Sequence, residues 1–177
     1  MTETRTRGSQ PQLEQVLHLL ADWLPRRRWF GGKDAPVQHV RLLAHTRLRA
    51  DSGPVDHLVV AVDQPGRSEA YQVLLSLRAT PVPALEPVLV GEAGGSHVYD
   101  ALHDPATAAA LLQHLARADT VGSLTFTPEP AVSLPLGAEA TVLKAEQSNT
   151  SLVYGDVALL KVFRRLQVGI NPDIEVH

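Results

Sequence analysis

The chain has 177 residues, a formal net charge of −3 and no cysteine. That length allows one domain, or one domain plus part of a second, and 44% hydrophobic with 20% charged residues is enough to build a core. The acidic balance argues against a chain dominated by nucleic-acid binding, and the lack of cysteine removes disulfides, thiolate zinc sites and thiol nucleophiles.

The N-terminus, MTETRTRGSQPQ, is polar and lacks the apolar core of a signal peptide. No apolar run approaches the roughly 18 residues of a membrane-spanning helix. A cytoplasmic location is the expectation. Residues 1–8 read as a tail. Ser9 and Gln12 have capping-box spacing, with Pro11 tolerated in the first turn. Leu13, Val16, Leu17, Leu20 and Leu24 then recur at helical spacing, and Pro25 ends the helix.

Next comes Arg26-Arg27-Arg28-Trp29-Phe30-Gly31-Gly32-Lys33. Three arginines beside two aromatics fit a phosphate or nucleic-acid patch. They fit better a helix exit whose Trp29 and Phe30 plug the core while the arginines stay in water.

From Val37 to Gly91 the pattern is strand-like. Val37–Leu48, His57–Val62, Ala70–Leu77 and Pro87–Val90 are rich in β-branched and aliphatic residues and are separated by Gly/Pro turns. Tyr71, Val73, Leu75 and Leu77 alternate cleanly, one face of a half-buried strand. Such short loops predict an antiparallel meander, with a further short strand at His97–Leu102. Asp104-Pro105 then caps a second helix carrying Ala108, Leu111, Leu112 and Leu115. Ser123–Leu136, with its prolines and small polar residues, reads as a connection.

The eight histidines are scattered and no pair has the His-x-x-x-His spacing of a helical metal site. His97, Asp100, His103 and Asp104 cluster, but loop polarity is the blander account. There is no nucleophile elbow, Walker-type Gly-Lys-Ser/Thr or dinucleotide fingerprint.

In the last third, Ala140–Gln147 and Ser151–Tyr154 read as a hairpin with Ser148-Asn149-Thr150 at its tip. Backbone N–H groups and hydroxyls at such a tip can hold phosphate oxygens. Gly155-Asp156 makes the next turn. In the following strand, Val157, Leu159, Lys161 and Phe163 alternate with Ala158, Leu160 and Val162. A lysine in an apolar strand is expensive unless it has an anionic partner. A nucleotide phosphate could serve, as could Glu175 on the helix that Asn171-Pro172 begins. Protein kinases use that order of lysine and helix glutamate. Spacing alone slightly favours the plainer alternative, a snorkelling edge lysine beside an ordinary turn.

The fold class expected is α+β: a curved antiparallel sheet flanked by helices over residues 9–122, then the antiparallel strands of a kinase-like N-lobe over residues 123–177.

The segments Glu146–Ser151, Gly155-Asp156, Leu160–Leu166 and Gly169–Glu175 resemble bacterial maltokinases. So do Trp23-Leu24-Pro25 and Arg28-Trp29-Phe30-Gly31-Gly32-Lys33. The resemblance runs from about Leu13 to the last residue; between Val37 and Leu136 it is mainly one of pattern. It implies an N-terminal cap domain joined to an aminoglycoside-phosphotransferase-like kinase. That kinase transfers the γ-phosphate of ATP to the anomeric hydroxyl of maltose, giving maltose 1-phosphate for α-glucan and glycogen synthesis. On this resemblance Ser148, Asn149, Thr150 and Ser151 lie on the phosphate-binding loop, Lys161 contacts ATP phosphates, and Glu175 holds Lys161. The cap is expected to serve structure or regulation. ATP with Mg²⁺ is the implied cofactor of the complete enzyme and maltose the implied acceptor. Fusion to or association with trehalose synthase is also implied; no nucleic-acid or membrane partner is.

These residues depart from the family in lacking the later His-Gly-Asp loop with its catalytic aspartate, the Mg²⁺ ligands and the sugar-binding lobe. The expectation is a cap plus the start of an N-lobe, with no catalytic residue and no metal ligand in this chain. The alternatives are a cap-bearing kinase of another sugar, such as a glucosamine kinase, and a stand-alone interaction module that does no chemistry.

Overall fold

The computed structural model describes residues 9–130, 132–143 and 148–167. Ser9–Trp23 forms helix α1. Val16, Leu20 and Trp23 fall on one stripe of it and are buried. Pro25 lies in a short 3₁₀ turn, Leu24–Arg26, that ends the helical run.

Three long strands follow, β1 (His39–Ala50), β2 (Gly53–Gln64) and β3 (Arg67–Arg78). They pair antiparallel in sequence order, as the short loops dictate. The meander ends there. A 3₁₀ segment, Pro83–Val88, carries the chain to β4 (Leu89–Ala93) and β5 (Ser96–Asp100), and β5 rather than β4 pairs with β3. The backbone N–H of Val82 donates to the Tyr99 hydroxyl at 3.0 Å, fastening the crossover to β5.

The alternation in β3 sorts the core into two sides. Tyr71, Val73 and Leu75 join Leu58, Val60 and Val62 of β2 against α1. Leu74 faces the other way, with Leu48 and Val55. There it meets helix α2 (Pro105–Ala116) through Ala108, Leu111 and Leu112. Full burial of each such aliphatic contributes about 1.5–3 kcal/mol. Asp104 caps α2 as expected, accepting from the N–H of Ala106 at 3.0 Å. Its other oxygen is taken by Ser52 and Arg78.

The connection expected over Ser123–Leu136 begins inside a small hairpin, β6 (Thr120–Val121) and β7 (Leu124–Thr125). A second sheet then forms from β8 (Ala140–Val142), β9 (Asn149–Tyr154) and β10 (Ala158–Phe163), in the order β10-β9-β8. β9 starts two residues earlier than the sequence reading placed it, because Asn149 and Thr150 already pair with Phe163 and Val162. Gly155 takes φ of 55° in the turn between β9 and β10, a conformation that a side chain disfavours.

The chain then returns to the first sheet. Strand β11 (Arg165–Leu166) pairs with Tyr71 and Ala70 of β3, along the stretch of that edge which β5 leaves open. The result is three layers: α1, the six-stranded sheet, and α2 with the three-stranded sheet. Among the described residues no helix is long and apolar enough to cross a membrane.

Candidate functional site

The three-stranded sheet has two unlike faces. Val142 of β8, Leu152 of β9 and Leu160 of β10 lie opposite one another and join the core over α2. Tyr154 completes that side, its hydroxyl donating to the Ala108 carbonyl at 2.9 Å. Burial pushes the Tyr154 phenol up to about 12.

The other face is carried by Thr141, Val153 and Leu159, likewise in register. Leu159 is 56% exposed and Leu143, just past β8, is 44% exposed. Lys161 belongs to this face, directly opposite Ser151. It is half-buried, with its Nζ 5.2 Å from the centre of the Phe163 ring. The outward row of Leu159, Lys161 and Phe163 is the alternation read from the sequence.

The loop residues have unequal surroundings. Ser148 is exposed. It borders a cavity of about 420 Å³ shared with Arg28, Lys33 and Arg165. Asn149 is partly exposed, while Thr150 and Ser151 are buried. Thr150 uses its Oγ1 to accept from Arg164 at 2.8 Å. Glu175 and the Asn171-Pro172 helix start lie outside the described residues, as do Lys144–Gln147 of the hairpin.

Arg164 is the residue that sequence reasoning passed over. Its side chain is fully buried between the two sheets. Nη2 donates to Asp100 Oδ2 at 2.7 Å, and the guanidinium lies 4.8 Å from the centre of the Trp29 ring. The backbone on either side is tied to β3, with Gln72 N donating to the Arg164 carbonyl at 2.8 Å and Gln72 Nε2 to the Phe163 carbonyl at 2.7 Å. The only sequence signal was the Arg164-Arg165 pair interrupting an apolar run. Arg165 is the ordinary one, exposed and bonded to Glu69.

The aromatic pair of the Arg26–Lys33 segment is structural. Phe30 is 2% exposed and packs on Tyr71, with ring centres 5.1 Å apart. Trp29 lies between Trp23 and Tyr71. The arginines do not all stay in water, contrary to the sequence reading. Arg26 and Arg28 are exposed, but Arg27 is half-buried over the Trp23 ring at 4.8 Å. Burial draws its guanidinium below the ordinary value, with Asp100 opposing that shift and Arg26 adding to it. This is a physical cost of bringing a cation off the solvent.

Of the four residues weighed as a metal cluster, Asp100 and Asp104 are engaged by arginines and His97 by Glu92. Among the described residues no three His, Asp or Glu side chains gather to hold a metal ion.

Residues 23–104, from the end of α1 to the cap of α2, match the family model of the maltokinase N-terminal cap domain.

Proposed function

From an N-terminal region that is maltokinase-related, we propose that this chain is the cap and the beginning of the ATP-binding lobe of an ATP-dependent maltokinase. Such an enzyme moves the γ-phosphoryl group of ATP to the anomeric hydroxyl of maltose. The observation that supports the reading beyond the cap is Lys161. It lies on the outward face of the small sheet, opposite Ser151 of β9, the strand that Ser148 immediately precedes. A lysine there neutralises phosphate charge as the phosphoryl group leaves, and phosphoryl transfer is almost entirely positioning and charge neutralisation. Val153 and Leu159 beside it offer an apolar platform of the kind that flanks a nucleotide base.

Catalytic base, Mg²⁺ ligands and acceptor site belong, on this reading, to a C-terminal lobe outside these residues. The described residues offer no metal cluster of their own.

The test is ATP-dependent phosphorylation of maltose, followed by ³¹P NMR, on a polypeptide carrying these residues together with the catalytic lobe. Lys161→Ala is expected to lower kcat/KM for ATP by about 100-fold or more, the scale on which lost transition-state charge stabilisation registers. Undiminished activity would remove the role given to Lys161. Turnover with glucosamine but not maltose would reassign the acceptor while leaving the nucleotide reading intact.

A further inference from the structure

The cavity of about 420 Å³ beside Ser148 has a second wall, the cap loop that carries Gly31 and Lys33. Arg165 of β11 lines it too, and among the described residues no carboxylate does. The cap therefore brings charge to the tip of the small sheet, where the sequence reading gave it structure or regulation alone.

Lys33 is exposed, and the backbone on either side of it is fixed. Gln64 Nε2 donates to the Gly32 carbonyl at 2.6 Å and to the Ala35 carbonyl at 2.5 Å. The adjacent carboxylate, Asp34, is bonded to Arg67. Among the described residues Lys33 makes no ion pair. Arg165 gives Nη2 to Glu69 and is still 46% exposed. Gly31 leaves that guanidinium approachable, since a Cβ there would stand 3.8 Å from its Nη1. Arg28 also lines the cavity but is engaged in an interaction of its own. The cationic surface open to a ligand is thus that of Lys33 and the exposed part of Arg165, with the exposed Ser148 beside them.

Charge-assisted bonds to phosphate oxygens are the strong ones, and lysine supplies them as a point charge. A loop already fixed spares the ordering cost of binding. Lys161 does not line the cavity, but it lies opposite Ser151, three residues from Ser148 and about 10 Å away at strand spacing. One phosphate group is small beside a cavity of this volume; a chain of phosphates uses more of it.

We propose that the cap contributes Lys33 to phosphate binding, so that the cavity between Lys33, Arg165 and Ser148 holds the outer phosphates of a nucleoside triphosphate. This rests on the nucleotide reading of Lys161 and the Ser148–Ser151 segment. The cap then distinguishes a triphosphate from a monophosphate.

The test is isothermal titration calorimetry of the 177-residue chain with ATP, AMP and inorganic tripolyphosphate, without divalent cations. ATP should bind at least about tenfold more tightly than AMP, the scale of one charge-assisted bond. Lys33→Met should weaken ATP and tripolyphosphate by about that factor and leave AMP unchanged, whereas Lys33→Arg should retain most of the binding. Arg117→Gln removes one charge from the exposed C-cap of α2 and should change nothing. Circular dichroism verifies that each variant is folded. No saturable binding of ATP or tripolyphosphate overturns the proposal, and so does an equal loss in Arg117→Gln, which would mean general charge attraction. ATP weakened by Lys161→Met but not by Lys33→Met overturns it while the nucleotide reading stands. Tripolyphosphate bound as tightly as ATP, with neither affected by Lys161→Met, overturns the nucleotide as the ligand.

Discussion

Replacing Arg164 by methionine removes one partner of a buried ion pair and leaves the other in place. The Arg164 and Asp100 side chains are 0% and 3% exposed. Without the guanidinium, Asp100 keeps the N–H of Leu102 at 3.3 Å, a weak bond at the long end of the range. Thr150 loses its donor and Trp29 its stacked cation. Methionine retains most of the apolar stem, so the loss is one of charge and hydrogen bonding more than of volume. Breaking a buried pair from one side costs about 3–5 kcal/mol, because the remaining charge is uncompensated. For a chain of this size each kcal/mol is worth about 2–4 °C, so Tm should fall by about 6–20 °C. Urea unfolding by far-UV circular dichroism, with thermal scans alongside, measures both. Asp100→Leu, Arg164→Met and the double variant complete the cycle. The double variant should recover much of the loss, since removing both charges is often nearly neutral, with a coupling of at least about 1 kcal/mol. A loss below about 1 kcal/mol for Arg164→Met, or strictly additive single losses, would refute the view that this pair locks the two sheets together.

Gly32→Ala should destabilise by about 1–3 kcal/mol, the scale of overpacking. A Cβ there would lie 2.1 Å from Gln64 Oε1. Gln64 is held in place by donating to the carbonyls of Gly32 and Ala35 and by accepting from Arg67. An unchanged denaturation midpoint would mean that Gln64 can swing aside. Alkaline stability tests Tyr154. Its folded value of about 12 exceeds the unfolded value near 10, so the unfolded chain loses its proton first and stability falls as pH rises between the two. Two units amount to about 2–3 kcal/mol. Tyr154→Phe should cost about 1 kcal/mol at pH 7 and flatten that alkaline limb. A slope above pH 10 identical to the parent's would count against the assignment. Tyr71, also pushed up to about 12, leaves some slope behind. Leu143, Val157 and Leu159 are exposed on or beside the outward face of the small sheet. The 177-residue chain should therefore associate with rising concentration in sedimentation velocity, and Leu159→Asp should reduce that association. A strict monomer at high concentration would show that the patch is too small to drive contact.

The elements were legible where local chemistry decides them. Asp104-Pro105 announces α2 because an N-cap acceptor and a first-turn proline satisfy and pre-set a helix start wherever they occur. Tyr71, Val73 and Leu75 mark the α1 face of β3 because a strand has no other way to present every second residue. Lys161 likewise took its face from parity alone. Strand order was not legible. Whether β4 or β5 lies beside β3 depends on the crossover through Pro83–Val88 and its bond to Tyr99, and no local rule reports that. Arg164 was missed for a similar reason. An arginine following a strand ordinarily stays in water, and only the meeting of Asp100, Thr150 and Trp29, distant in sequence, makes burial tolerable. Asp100 entered the sequence reading only with His97, His103 and Asp104, as loop polarity in preference to a metal cluster, and not as that arginine's partner.

The return of β11 to β3 sets a timetable for synthesis. Asp100 is made 64 residues before Arg164. At translation rates of about 5–20 residues per second, its partner follows by roughly 3–13 s. Through that interval the Ala70–Tyr71 stretch of β3 has no strand on the side that β11 will take. A carboxylate still without its arginine and an open strand edge therefore wait together on the nascent chain. Both are closed by a single short segment, Arg164–Leu166, as it emerges.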